Sequence, residues 1–132
     1  MRAVLDVNVL VSALLSRGGA PARIIGSWLD GGFELVVSEL LLAELERALG
    51  YPKVAAYVSP DAAAAFVALL RGAAIVAVDP AESPERSSDP GDDYLLALAE
   101  AENASLVTGD QHLLDLADRF PIRSPRAFLE SL

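Results

Sequence analysis

Short apolar runs alternate along this chain with longer stretches in which apolar residues recur three and four positions apart. The short runs read as β-strands and the longer stretches as amphipathic helices. Ala3-Val4-Leu5, Phe33 to Val37, Ile75 to Val78 and Ser105 to Val107 are predicted strands, and Pro121 to Arg123 a last short edge strand. Between them, helices are predicted over Val9 to Leu15, Ala22 to Leu29, Glu39 to Leu49, and Ser59 to Leu70 or Arg71. Further helices follow Asp89-Pro90, reaching about Glu102, then Asp110, reaching about Asp118, and finally Ser124-Pro125. The boundaries carry the expected punctuation. Gly18-Gly19, Gly31-Gly32 and Gly50 close helices, Pro21 suits a helix start, and Ser38 is a good N-cap. Asp79 to Gly91 reads as a polar, proline-bearing loop. Strands that alternate with helices build a parallel sheet covered on both faces. The expectation is a three-layer α/β/α sandwich in one domain, residues 1–132, with no repeat and no linker.

That architecture gives meaning to four acids. Asp6, Glu44, Asp92 and Asp110 each closely follow an apolar run that reads as a β-strand. In open α/β sheets the carboxyl ends of the strands form the ligand-binding edge. Carboxylates distant in sequence are thereby gathered at one edge. Crowded carboxylates repel, and a hard cation with oxygen ligands, Mg²⁺ or Mn²⁺, is the usual compensation. Helical phase supports the selection. Leu41, Glu44, Leu45 and Ala48 share a stripe, with Glu39 and Glu46 outside it. Asp92 shares a face with Leu95, Leu96 and Ala99, whereas Asp93 falls alongside Ala97 and Glu100. Asp93 competes with Asp92 for a ligand role, and Asp89 reads as the cap. Asn8 and Thr108 add polar groups at the same edge. Each acid also has a structural explanation. Asp6 and Asp110 are good N-caps, Asp92 at N3 favours the helix dipole, and Glu44 can pair with an arginine.

Composition narrows the chemistry. The chain has 132 residues, is 53% hydrophobic, and can bury a real core. It has no cysteine, which excludes thiolate ligands and disulfides and suits a cytosolic protein. The longest purely apolar run, Ala62 to Leu70, is too short and alanine-rich to span a bilayer. Asp6 and Asn8 interrupt the apolar N-terminal stretch, which argues against a signal peptide. The net charge of −9 disfavours broad attraction to nucleic acid, so any such contact is local. No phosphate-binding glycine loop and no Gly-x-Ser-x-Gly elbow occur. His112 is the only histidine and reads as a surface residue, Trp28 reads as packing, and Arg17, Arg23 and Arg86 as solvated surface.

The ordered motifs carry a resemblance across nearly the whole chain. They are Leu5-Asp6-Val7-Asn8-Val9-Leu10-Val11-Ser12, Ser38-Glu39-Leu40 leading to Glu44-Leu45, and Asp89-Pro90-Gly91-Asp92-Asp93 before Leu96. Val107-Thr108-Gly109-Asp110 and Ser124-Pro125-Arg126-Ala127-Phe128-Leu129 complete the set. Together they resemble PIN-domain proteins, and among them the VapC-like toxin ribonucleases. The resemblance implies divalent-metal-dependent cleavage of RNA in the cytoplasm. Its acidic quartet falls on Asp6, Glu44, Asp92 and Asp110, with Asn8 and Thr108 in supporting positions. It further implies a homodimer and an antitoxin whose basic segment covers the acidic site. His112 departs from the family pattern, where another acid or polar residue is common.

Three other readings follow from the same residues. A receiver-type phosphoacceptor domain also gathers acids, but it needs a late lysine, and the only lysine is Lys53. A catalytically silent acidic module could bind a basic protein. Four helix caps on an α/β domain without a site is the third.

Overall fold

The computed structural model describes residues 1–81 and 93–132. Arg86, Asp89, Pro90, Gly91 and Asp92 therefore lie outside the described residues, as do the roles expected of them.

Five strands form one sheet in the order β3-β2-β1-β4-β5, with every neighbouring pair parallel. They are β1 (Arg2–Leu5), β2 (Glu34–Ser38), β3 (Ile75–Ala77), β4 (Ser105–Val107) and β5 (Ile122–Arg123). β1 is central and buried because Ala3, Val4 and Leu5 are fully enclosed. This continuous apolar run is what a strand covered on both faces requires. The helices are α1 (Val7–Leu15), α2 (Ala20–Leu29), α3 (Glu39–Leu49), α4 (Pro52–Ala55), α5 (Pro60–Ala73), α6 (Asp93–Ala101), α7 (Gln111–Leu114) and α8 (Pro125–Glu130). α1 packs on α2 and α3, α3 on α5, and α2 on α8. α6 packs instead on β1 and β4. Right-handed crossovers place it on the opposite face of the sheet. This is the expected sandwich with a central parallel sheet.

Local chemistry explains the ends. Ser38, Ser59 and Ser124 cap α3, α5 and α8 through their hydroxyls, each with an N–H three residues on. α2 stops where Gly31 takes φ +84°, a conformation that glycine adopts without strain. Phe128 of α8 is fully buried, edge-on to Phe33 with ring centroids 5.1 Å apart. That contact fixes the C-terminal helix against the entry to β2. Trp28 is buried, as the packing role requires.

Two helical expectations change. Gly50 and Pro52 end α3, but Pro52 also opens the short α4, since proline is pre-shaped for a first helical turn. The helix after Asp110 ends at Leu114, well short of Asp118. Beyond it, Ala117 and Arg119 close three-residue turns onto Leu114 and Leu116, which spend this segment in tight turns toward β5.

Candidate active site at the carboxyl edge of the sheet

The chain leaves β1 in one direction to form β2 and β3, and later returns to form β4 and β5 on the other side. The point where strand order reverses lies between β1 and β4. A crevice opens there in such sheets. Val107 stands beside Leu5 in register, so Asp6 and Thr108 follow side by side. The Asp6 N–H donates to the Val107 carbonyl at 3.0 Å, which extends the ladder to the site itself.

Asp6 is buried, only 7% exposed. Its Oδ2 accepts from the Thr108 hydroxyl at 2.6 Å, and its Oδ1 accepts from the Asn8 N–H at 3.3 Å. Burial pushes its carboxyl above the ordinary aspartate range. The Thr108 and Asn8 hydrogen bonds pull the other way, and the nearby charge of Asp110 adds to the rise. Thr108 is fully enclosed and works in two directions. Its hydroxyl donates to Asp6, and its oxygen accepts the Asp110 N–H at 3.0 Å. Asp110 is half-buried and caps α7 by accepting the His112 N–H at 2.9 Å. Both acids therefore cap helices, as their sequence context suggests. A carboxylate keeps lone pairs free beyond one such bond. The exposed His112 meets Asp110 through its backbone.

Glu44 is half-buried on α3, at the border of the stripe formed by the buried Leu41, Leu45 and Ala48. Its Oε2 accepts from the Tyr94 hydroxyl of α6 at 3.0 Å. Tyr94 is the residue that sequence reasoning missed. Its partner lies fifty positions away on another helix, and no local pattern marks such a contact. Asp93, which competes with Asp92 for a ligand role, is buried, as is Ala97 beside it. α6 is enclosed around its whole circumference from Leu95 to Ala99, so its face toward Ala97 is also inside. Asn8 is exposed, and its backbone supplies the contact to Asp6.

The structure thus brings Asp6, Thr108 and Asp110 together and ties Glu44 to Tyr94. Among the described residues, no three acidic or histidine side chains stand together as a complete cation site. Asp92 is outside them. The donor chemistry that is present fits a hard divalent ion: carboxylate oxygens, a raised buried acid and a second negative charge close enough to perturb it.

A family model for the PIN domain matches residues 2–112. The chain belongs to the PIN-domain family. PIN domains are in general nucleases that depend on divalent metal. Solved structures share the fold. PAE2754 from Pyrobaculum aerophilum is similar with a TM-score of 0.71 and 20% identity, over 99% of this chain and 94% of that one. VapBC2 from Rickettsia felis, bound to a DNA fragment from their promoter, gives 0.67 and 17%, over 94% and 98%. Among curated proteins, the uncharacterized protein MJ1680 of Methanocaldococcus jannaschii is 22% identical over 140 residues, spanning 98% of this chain and 90% of the relative.

Proposed function

We propose that this PIN domain is a divalent-metal-dependent endoribonuclease, the toxin of a toxin–antitoxin pair. The observation that carries the reading is the Asp6–Thr108–Asp110 arrangement at the topological switch point, where burial and a neighbouring charge raise the Asp6 carboxyl. Asp6, Glu44, Asp92 and Asp110 would hold Mg²⁺ or Mn²⁺. When bound, the cation supplies activation of the attacking water and neutralisation of phosphate charge. In the hydrolysis the water oxygen joins phosphorus, the ester P–O bond breaks, and the departing oxygen takes up a proton. Thr108 positions the Asp6 carboxylate, and Tyr94 positions Glu44. No side chain is needed as a covalent nucleophile.

The likeness to VapBC2 supports the toxin role, and the net charge of −9 suits an antitoxin with a basic segment. A homodimer in the cytoplasm completes the proposal. Among the described residues, no helix is long and apolar enough to cross a membrane.

The test is cleavage of a mixed-sequence single-stranded RNA with Mn²⁺. Wild type should cut, and EDTA and Asp6→Asn should each abolish cutting. Cleavage retained in Asp6→Asn would sink the site assignment. A basic partner captured without any nuclease activity would favour a silent binding module.

A further inference from the structure

The motif Ser124-Pro125-Arg126-Ala127-Phe128-Leu129 has no part in the acidic site. Phe128 explains its apolar half, since it locks α8 against Phe33. Arg126 is unexplained by packing because it is exposed. It lines a cavity of about 410 Å³ between α8 and the start of α2, together with Arg23, Gly19, Leu129 and Glu130. Neither arginine makes an ion pair or a side-chain hydrogen bond among the described residues. Other arginines behave differently. Arg2 is paired with Glu34 and Glu102, and Arg71 with Glu39 and Glu46. Glu130 shares the cavity wall without pairing to either guanidinium. Two exposed guanidiniums without a protein partner among the described residues therefore line one cavity.

Placement adds to this. Of the ten basic residues in the chain, Arg17, Arg23, Arg123 and Arg126 fall in two short segments that the packing of α2 on α8 brings together. Gly19 caps α2 with no side-chain hydrogen bond, so no side chain occupies the N–H groups of that first turn. Arg123 pairs in register with Val107. α8 thus leaves the sheet at the same edge as Asp6 and Asp110. β5 is two strands from β1, roughly 10 Å across the sheet.

We propose that Arg23 and Arg126 clamp a backbone phosphate of the RNA strand away from the scissile bond, which rests on the nuclease reading above. An edge of carboxylates repels a polyanion, and a local pair of guanidiniums offsets that repulsion without reading sequence. Guanidinium forks suit phosphate oxygens. Such contacts position the strand rather than specify it.

The experiment is binding of a fluorescein-labelled, mixed-sequence single-stranded RNA to the full chain in EDTA, across a salt series. The double variant Arg23→Gln, Arg126→Gln should bind about tenfold more weakly or worse. Its slope of log affinity against log salt should fall by about 0.7, the value for one phosphate contact on a single strand. Lysines at both positions should restore the slope but not the full affinity. Lys53→Gln, on α4, should bind as wild type does. Both arginines are exposed, so unchanged thermal midpoints should accompany the loss. Wild-type affinity in the double variant, an equal loss in Lys53→Gln, or no RNA binding by wild type would each overturn the clamp. Cleavage abolished by Asp6→Asn, with normal binding by the double variant, removes the clamp and leaves the nuclease. Binding lost in the double variant, with no cleavage by wild type, does the reverse.

Discussion

At the scale of single residues, Asp6 sits where a carboxylate is costly: buried, and within range of the Asp110 charge. A carboxyl with a raised folded pKa holds its proton more tightly in the folded chain than in the unfolded one. Its contribution to stability is full below the ordinary value of 3.8 and is lost as pH rises through the raised folded value. Asp6→Asn should therefore raise the thermal midpoint at pH 7 while abolishing cleavage. The advantage over wild type should disappear in melts carried out below the ordinary aspartate value, because both side chains are then neutral. A midpoint at pH 7 below that of wild type would contradict the burial argument. Thr108→Val tests the adjoining link. It removes the donor to Asp6 and the acceptor of the Asp110 N–H inside an enclosed site. Stability should fall by about 1–3 kcal/mol in urea unfolding. Cleavage should fall about 10–100-fold, as for other side chains that orient a metal ligand.

At the scale of elements, α3 carries Glu44, and Ser38 starts it. The Ser38 hydroxyl is fully buried and accepts the Leu41 N–H at 3.3 Å. Ser38→Ala should cost about 1 kcal/mol, read from the urea midpoint with an unchanged slope. This cap was legible in the sequence, as were the five strands, because serine before an apolar stripe and short apolar runs between turns are local signals. The pairing of Asp6 with Thr108 was also legible, since both follow strands that a parallel sheet places in register. Other features depend on tertiary packing and left no local mark. Glu44 and Tyr94, fifty positions apart on different helices, meet through a single side-chain hydrogen bond, and Asp93 is buried because α6 is enclosed from Leu95 to Ala99. In the sequence, Arg23 reads as solvated surface and Arg126 only as part of the Ser124–Leu129 motif. Their shared cavity exists because α2 packs on α8.

At the scale of the whole molecule, strand order does the organising. Reversal at β1 sets Asp6 beside Thr108 and Asp110, and the same edge carries the start of α8. The chain as a whole carries a net charge of −9, so the protein's own field opposes an RNA strand and favours cations. Divalent metal should therefore stabilise the fold as well as activate it. Mn²⁺ at about a hundred times its dissociation constant should add about 2.7 kcal/mol to the unfolding free energy of wild type. Differential scanning calorimetry should show the rise in wild type and not in Asp6→Asn.

The most direct test of the central claim, that these carboxylates jointly hold a divalent ion, is isothermal titration of Mn²⁺ into wild type, Asp6→Asn and Asp110→Asn. Saturable binding by wild type that is lost in both variants is the predicted result. Equal binding by all three proteins would place the metal elsewhere and contradict the account.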